Sequence, residues 1–157
     1  MKIKLIAIGK TDNSTLQVLI DDYRKRLSFY IKFELEIIAD IKNVKNLSEA
    51  LQKEKEGEMI LSKISPMDHL ILLDENGKSF SSVSFSEELQ KKMNAGIKTL
   101  VFVIGGPYGF SDEVYAKSNA KIALSQMTFS HQMVRLFFIE QVYRGFTILK
   151  NEPYHHQ

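Results

Sequence analysis

Two pairs of ionisable residues stand in a largely apolar segment near the end of the chain: His131 and Arg135, then Glu140 and Arg144. Each pair is spaced by four, so on a helix its members lie one turn apart on a shared face. Glu140 precedes Arg144, the favourable order for a helical ion pair. Two readings fit that pair equally. Arg144 can neutralise Glu140 within an interface, or it can be aimed at an anionic substrate; a buried charge must be paired in either case.

Two loops just upstream suit a small molecule. The apolar run Leu100 to Ile104 breaks into Gly105-Gly106-Pro107-Tyr108-Gly109, and a short β-prone run leads into Leu124-Ser125-Gln126-Met127-Thr128-Phe129. Strand ends that turn into such loops are where open α/β sheets bind ligands. Glycine lets backbone amides come close to a ligand. Alone, the glycine cluster is equally a tight turn. It is neither a Walker loop, since no Gly-Lys-Ser/Thr follows, nor a dinucleotide fingerprint, since the spacing differs. The histidines His69, His131, His155 and His156 lack metal-ligand spacing, so no metal is expected. Ser130 beside His131 is no evidence of a triad.

The elements that must position these residues alternate along the chain. Strands are expected over Lys2 to Ile8, Phe33 to Ile38, His69 to Leu73, Leu100 to Ile104 and Lys121 to Leu124. Asp74 to Lys78 reads as a turn after the third. Helices are expected over Thr15 to Phe29, from Ser48 to about Lys63, after a cap at Ser84 or Ser86, from Ser111 to Asn119, and over His131 to Lys150. The run Lys53-Glu54-Lys55-Glu56-Gly57-Glu58 reads as a solvated helix face. Pro153 stops the last helix. Alternating strands and helices with continuous apolar strands give an α/β fold, a parallel sheet with helices on both faces.

The last helix keeps no broad polar side: Val134, Phe138 and Val142 lie on one side, Met133, Phe137 and Ile148 on the other. A surface helix of a monomer should retain a polar face. A second copy of the chain is the natural cover, so a homodimer is expected. A central core helix within a monomer is the competing reading.

Composition bounds the rest. At 157 residues, 44% hydrophobic and 25% charged, residues 1–157 read as one globular domain. The absence of cysteine excludes disulfides and thiolate metal sites, and it fits a reducing cytoplasm. No run approaches the roughly 20 apolar residues of a membrane span. The net charge of +2 permits an RNA partner without arguing for one.

Taken as a set, several motifs resemble one family. They are Leu72-Leu73-Asp74, Val103 to Gly109, Leu124 to Arg135, Glu140-Gln141-Val142-Tyr143-Arg144 and Pro153-Tyr154-His155. The chain resembles, over its full length, the RlmH-type enzymes, small SPOUT-class methyltransferases of bacterial large-subunit ribosomal RNA. The resemblance implies a C-terminal trefoil knot, a homodimer and S-adenosylmethionine as cofactor. It implies methylation of N3 of pseudouridine 1915 in helix 69 of 23S rRNA, on the 70S ribosome.

Carried over by position, Leu73, Gly105, Leu124, Ser125, Gln126, Met127, Thr128 and Phe129 would bind the cofactor. His131, Arg144, Tyr154 and His155 would serve catalysis. In that scheme Arg144 holds a phosphate or the developing negative charge. Tyr154 and His155 order over the base, with His155 as proton acceptor, because an unperturbed imidazole titrates near neutrality. Arg135, Arg144 and Lys150 would gather charge near one cleft of the dimer. Two positions depart from the pattern. Ser130 stands where many relatives have proline, and His155-His156-Gln157 lacks the usual basic residue. A non-catalytic dimeric module that binds S-adenosylmethionine is the alternative, and the intact Arg144, Tyr154 and His155 argue against it.

Overall fold

The computed structural model describes residues 1–42 and 47–155. His156 and Gln157, and with them the departure at the C-terminus, lie outside the described residues. So does part of the connector before the second helix. The strands are β1 (Lys2–Ile8), β2 (Lys32–Ile38), β3 (His69–Ser79), β4 (Thr99–Ile104) and β5 (Ala120–Ala123). They form one five-stranded sheet in the order β2-β1-β4-β3-β5, every neighbouring pair parallel.

Five helices cover it: α1 (Ser14–Leu27), α2 (Glu49–Leu61), α3 (Ser82–Asn94), α4 (Asp112–Lys117) and α5 (His131–Leu149). The order of strands decides their faces. β1 to β2 and β3 to β4 step one way across the sheet, whereas β2 to β3 and β4 to β5 step the other way. A right-handed crossover must therefore put α1 and α3 on one face and α2 and α4 on the other. The core divides accordingly. Ile3, Leu5, Phe102, Phe85, Leu89 and the α5 residues Phe138, Ile139 and Val142 fill one side. Ile6, Leu72, Val101, Val103, Ile60 and Val114 fill the other.

Serine and asparagine side chains start the helices, each accepting an amide of the first turn: Asn13, Ser48, Ser81, Ser111 and Ser130. The third cap is thus Ser81 rather than Ser84 or Ser86. Ser84 instead donates its amide to Ser81 Oγ at 3.1 Å, and Ser86 is buried in the helix.

Three further expectations change. Asp74 to Lys78 does not end β3. The strand passes through a register shift between Leu73 and Lys78 and pairs again with β5. Gly77 permits this, because a Cβ there would lie 2.5 Å from the backbone nitrogen of Ile122. The charged run in α2 is not wholly solvated, since Glu56 and Gly57 are buried. Finally, α5 packs between α1 and α3. Its own chain therefore covers most of the apolar surface that sequence assigned to a partner, leaving Phe137 36% exposed.

Candidate functional site

The carboxyl ends of β4 and β5, with β3 at its register shift, open into a cavity of about 510 Å³. Leu73, Gly105, Leu124, Ser125, Met127, Thr128, Phe129 and His131 all line it, and Gln126 does not. Three segments that are far apart in sequence meet here because β4 pairs with β3, and β3 with β5. Leu73 and Ile104 are register partners on neighbouring strands, which places the two loop starts side by side. Ring contact between Phe129 and Phe137, centroids 5.0 Å apart, ties the last loop to α5.

Several lining residues were not among the expected cofactor-binding positions. Asp74, Glu75, Asn76 and Tyr115 belong to the wall. The Tyr115 hydroxyl donates to Asp74 Oδ2 at 2.5 Å. Burial first, then that bond, pushes the phenol up to about 12, so it remains a donor. His131, the first residue of α5, is held below its ordinary value by burial and then by Arg135.

The remaining candidates stand at the far end of α5. Arg144 is 13 residues beyond His131, on the order of 20 Å along a helix. Its Nε and Nη2 donate to Glu140 Oε1 at 3.0 and 2.6 Å. Its guanidinium lies 4.6 Å from the centre of the Tyr154 ring. The Tyr154 hydroxyl donates to the same Glu140 oxygen at 3.0 Å. His155 Nδ1 is 3.4 Å from Arg144 Nη1. Arginine has only donors, so Nδ1 accepts here and the ring proton sits on Nε2.

The tail carrying Tyr154 and His155 is therefore ordered rather than loose. Tyr30 donates to Glu152, and Tyr23 and Tyr154 meet through their hydroxyls. Sequence reasoning missed Tyr23, Tyr30 and Glu152, because no spacing links residues so far apart. The structure brings Arg144, Tyr154 and His155 together and leaves His131 with the cavity.

Arg135 departs from its expected part in a charged cleft. It is only 1% exposed, and it donates to the Ile8 carbonyl at 2.7 Å and to Thr11 Oγ1 at 2.8 Å. It holds the end of β1 against α5. Among the described residues no group of three His, Cys, Asp or Glu stands close enough to hold a metal ion. Among the same described residues no helix is long and apolar enough to cross a membrane.

The cavity suits the cofactor that the motifs imply. Its volume lies in the range of small-molecule sites. Apolar side chains from Leu73, Ile104, Leu124 and Val134 face backbone-rich loops at 105–109 and 124–129. That combination can sandwich a flat heterocycle and hydrogen-bond its edges. Residues 1–155 match the family described as "Predicted SPOUT methyltransferase". The chain is 85% identical to the "Ribosomal RNA large subunit methyltransferase H" of Flavobacterium psychrophilum, over the whole of both chains. It is 81% identical to the Flavobacterium johnsoniae protein and 51% to that of Bacteroides thetaiotaomicron, which carry the same name, again over full length.

Proposed function

The chain belongs to the RlmH family of SPOUT methyltransferases, and on that premise we propose that it methylates N3 of a pseudouridine in helix 69 of 23S rRNA. Its substrate is the assembled ribosome in the cytoplasm, and its methyl donor is S-adenosylmethionine. Residues 1–157 act as one domain, carrying the trefoil knot of the class, and work as a homodimer.

The observation that carries this reading is the cavity at the ends of β4 and β5 and the register shift of β3, lined by seven of the eight residues expected to bind the cofactor. When bound, S-adenosylmethionine supplies an electrophilic methyl group on a sulfonium, which leaves as a neutral thioether. The protein's task is then mainly alignment. Leu73 and Leu124 hold the donor's ring, and the loop amides fix its orientation.

Arg144 and the tail supply the other half. Their separation from the cavity along α5 favours a dimer in which one protomer's tail serves its partner's cavity. N3 must lose its proton to attack the methyl group, and until the new N–C bond forms negative charge spreads over N3 and its flanking carbonyls. Arg144 turns from Glu140 to stabilise that charge. The turn also frees His155 Nδ1, which takes the N3 proton. Tyr154 serves as a donor throughout, since burial raises its pKa above the ordinary value, followed by its bonds to Tyr23 and Glu140.

Transfer of tritiated methyl groups from S-adenosylmethionine tests the reading, with 70S ribosomes and free 23S rRNA as parallel substrates. Label at N3 of the helix 69 pseudouridine, with 70S preferred, is the expected result. Calorimetric binding of the donor without transfer to either substrate would indicate a non-catalytic binding module instead.

A further inference from the structure

Glu56 is a buried acid to which the site described above gives no task. Its residue is 3% exposed. Oε1 accepts from Gln52 Nε2 at 2.8 Å, whereas Oε2 has no hydrogen-bond partner among the described residues. A bare, buried carboxylate oxygen is costly and asks for an explanation.

Its surroundings offer one. Helix α2 touches the glycine loop at both ends. The Glu56 carboxyl packs against Gly106 so closely that a Cβ there would overlap Oε2. At the next residue, Gly57 admits the Ser111 hydroxyl and the Val114 side chain, where a Cβ would overlap Ser111 Oγ. Residues 56 and 57 thus grip the loop from behind, and Gly105 to Phe110 line the cavity on its other side.

We propose that Glu56 is a positioning residue for the methyl-donor loop: its buried carboxyl, packed against Gly106, fixes that glycine in the shape that receives the donor. The proposal rests on reading the cavity as the S-adenosylmethionine pocket. Burial raises the pKa of Glu56, opposed by the Gln52 bond and reinforced by Asp40. Asp40 is the charged group acting on it, and Asp40 in turn acts on Arg135. Ionisation would place a second negative charge near Asp40 and draw water behind Gly106. A group with a raised folded pKa favours the ordered loop at low pH and loses that effect as pH rises through the folded value.

Calorimetric titration of S-adenosylmethionine into the full chain, from about pH 4.5, the ordinary carboxylate range, to about pH 9, compares wild type with Glu56→Gln and Glu56→Asp. Wild-type affinity should fall with rising pH, approaching tenfold per pH unit once the acid has titrated. Glu56→Gln, neutral and of equal reach, should keep the low-pH affinity with that slope removed. Glu56→Asp, one methylene short of Gly106, should bind more weakly throughout. Hydrogen exchange at residues 105–110 of the wild type, with protection falling over the same pH range, supplies a readout independent of any variant's folding. Wild-type binding with no slope, or a slope that persists in Glu56→Gln, overturns the role of Glu56 alone. A wild type that binds no donor at any pH overturns the pocket reading and this proposal with it.

Discussion

The hydroxyl of Tyr23 lies 3.1 Å from that of Tyr154, joining α1 to a tail 131 residues later. Tyr154 passes the chain on to Glu140 Oε1, the oxygen that also receives two N–H groups of Arg144. One carboxylate therefore sets the position of two catalytic candidates, and α1 sets the position of that group from outside.

Loosening this anchor should slow turnover and spare the cofactor. Tyr23→Phe and Tyr30→Phe each remove one hydrogen bond to the tail, at a cost of about 1 kcal/mol. Hydrogen exchange at residues 152–155 should speed up in both, and kcat should fall while the donor's Kd holds. If the Kd rose in step with the loss of kcat, the tail would not be a separate module.

Arg144→Lys keeps the charge and loses the planar fork that reaches both Glu140 and a substrate anion. Single-turnover methylation should drop by roughly a hundredfold, the usual cost of one oxyanion-stabilising donor. Arg144 acts on the target base rather than on the donor and does not line the cavity of its own chain, so donor affinity should be unchanged. Methylation at the wild-type rate would remove Arg144 from the chemistry.

Two glycines should respond differently to alanine. At Gly77 the new Cβ meets backbone atoms of Ile122 at 2.5 Å and Lys121 at 2.7 Å, which cannot move aside without breaking the β3–β5 pairing. Gly77→Ala should cost about 3 kcal/mol, as overpacking does. Gly96 has φ +74° with open space around it, so Gly96→Ala should cost only about 1 kcal/mol of backbone strain. Urea denaturation of both variants checks the order, and a reversal would mean that the bulge in β3 adapts.

Acid should expose His131. Burial, then Arg135, lowers its folded pKa, so below about pH 6.5 the unfolded chain takes up a proton that the folded chain refuses. Stability therefore falls with pH between the unfolded value and the lower folded one. His131→Gln should flatten the fall in the urea midpoint over that window. Some slope should remain from His69, which burial and then Lys92 also hold low. Superimposable profiles for the two proteins would show that His131 is not the responsive group.

The order of elements and the two loops that line the cavity were legible in the sequence, because apolar periodicity and glycine placement are local signals. The catalytic candidates came from motif resemblance, not from pattern. Periodicity misread α5 in one respect. It registered an apolar helix on nearly all sides, but it could not say that α1 and α3 flank it within the same chain. It likewise took Glu56 for part of a solvated face and Arg135 for a cleft residue.

What the sequence determined by itself was which residues are apolar and which elements follow one another; it read a turn at Asp74 to Lys78, where β3 in fact runs on to Ser79. Only the tertiary structure decided which polar group meets which. Arg135 finds the Ile8 carbonyl 127 residues away, Tyr30 finds Glu152, and Glu56 finds Gly106. Hydrophobic pattern sets which face of an element is buried. The partner of a buried polar atom depends on strand order and crossover, and those are properties of the whole fold.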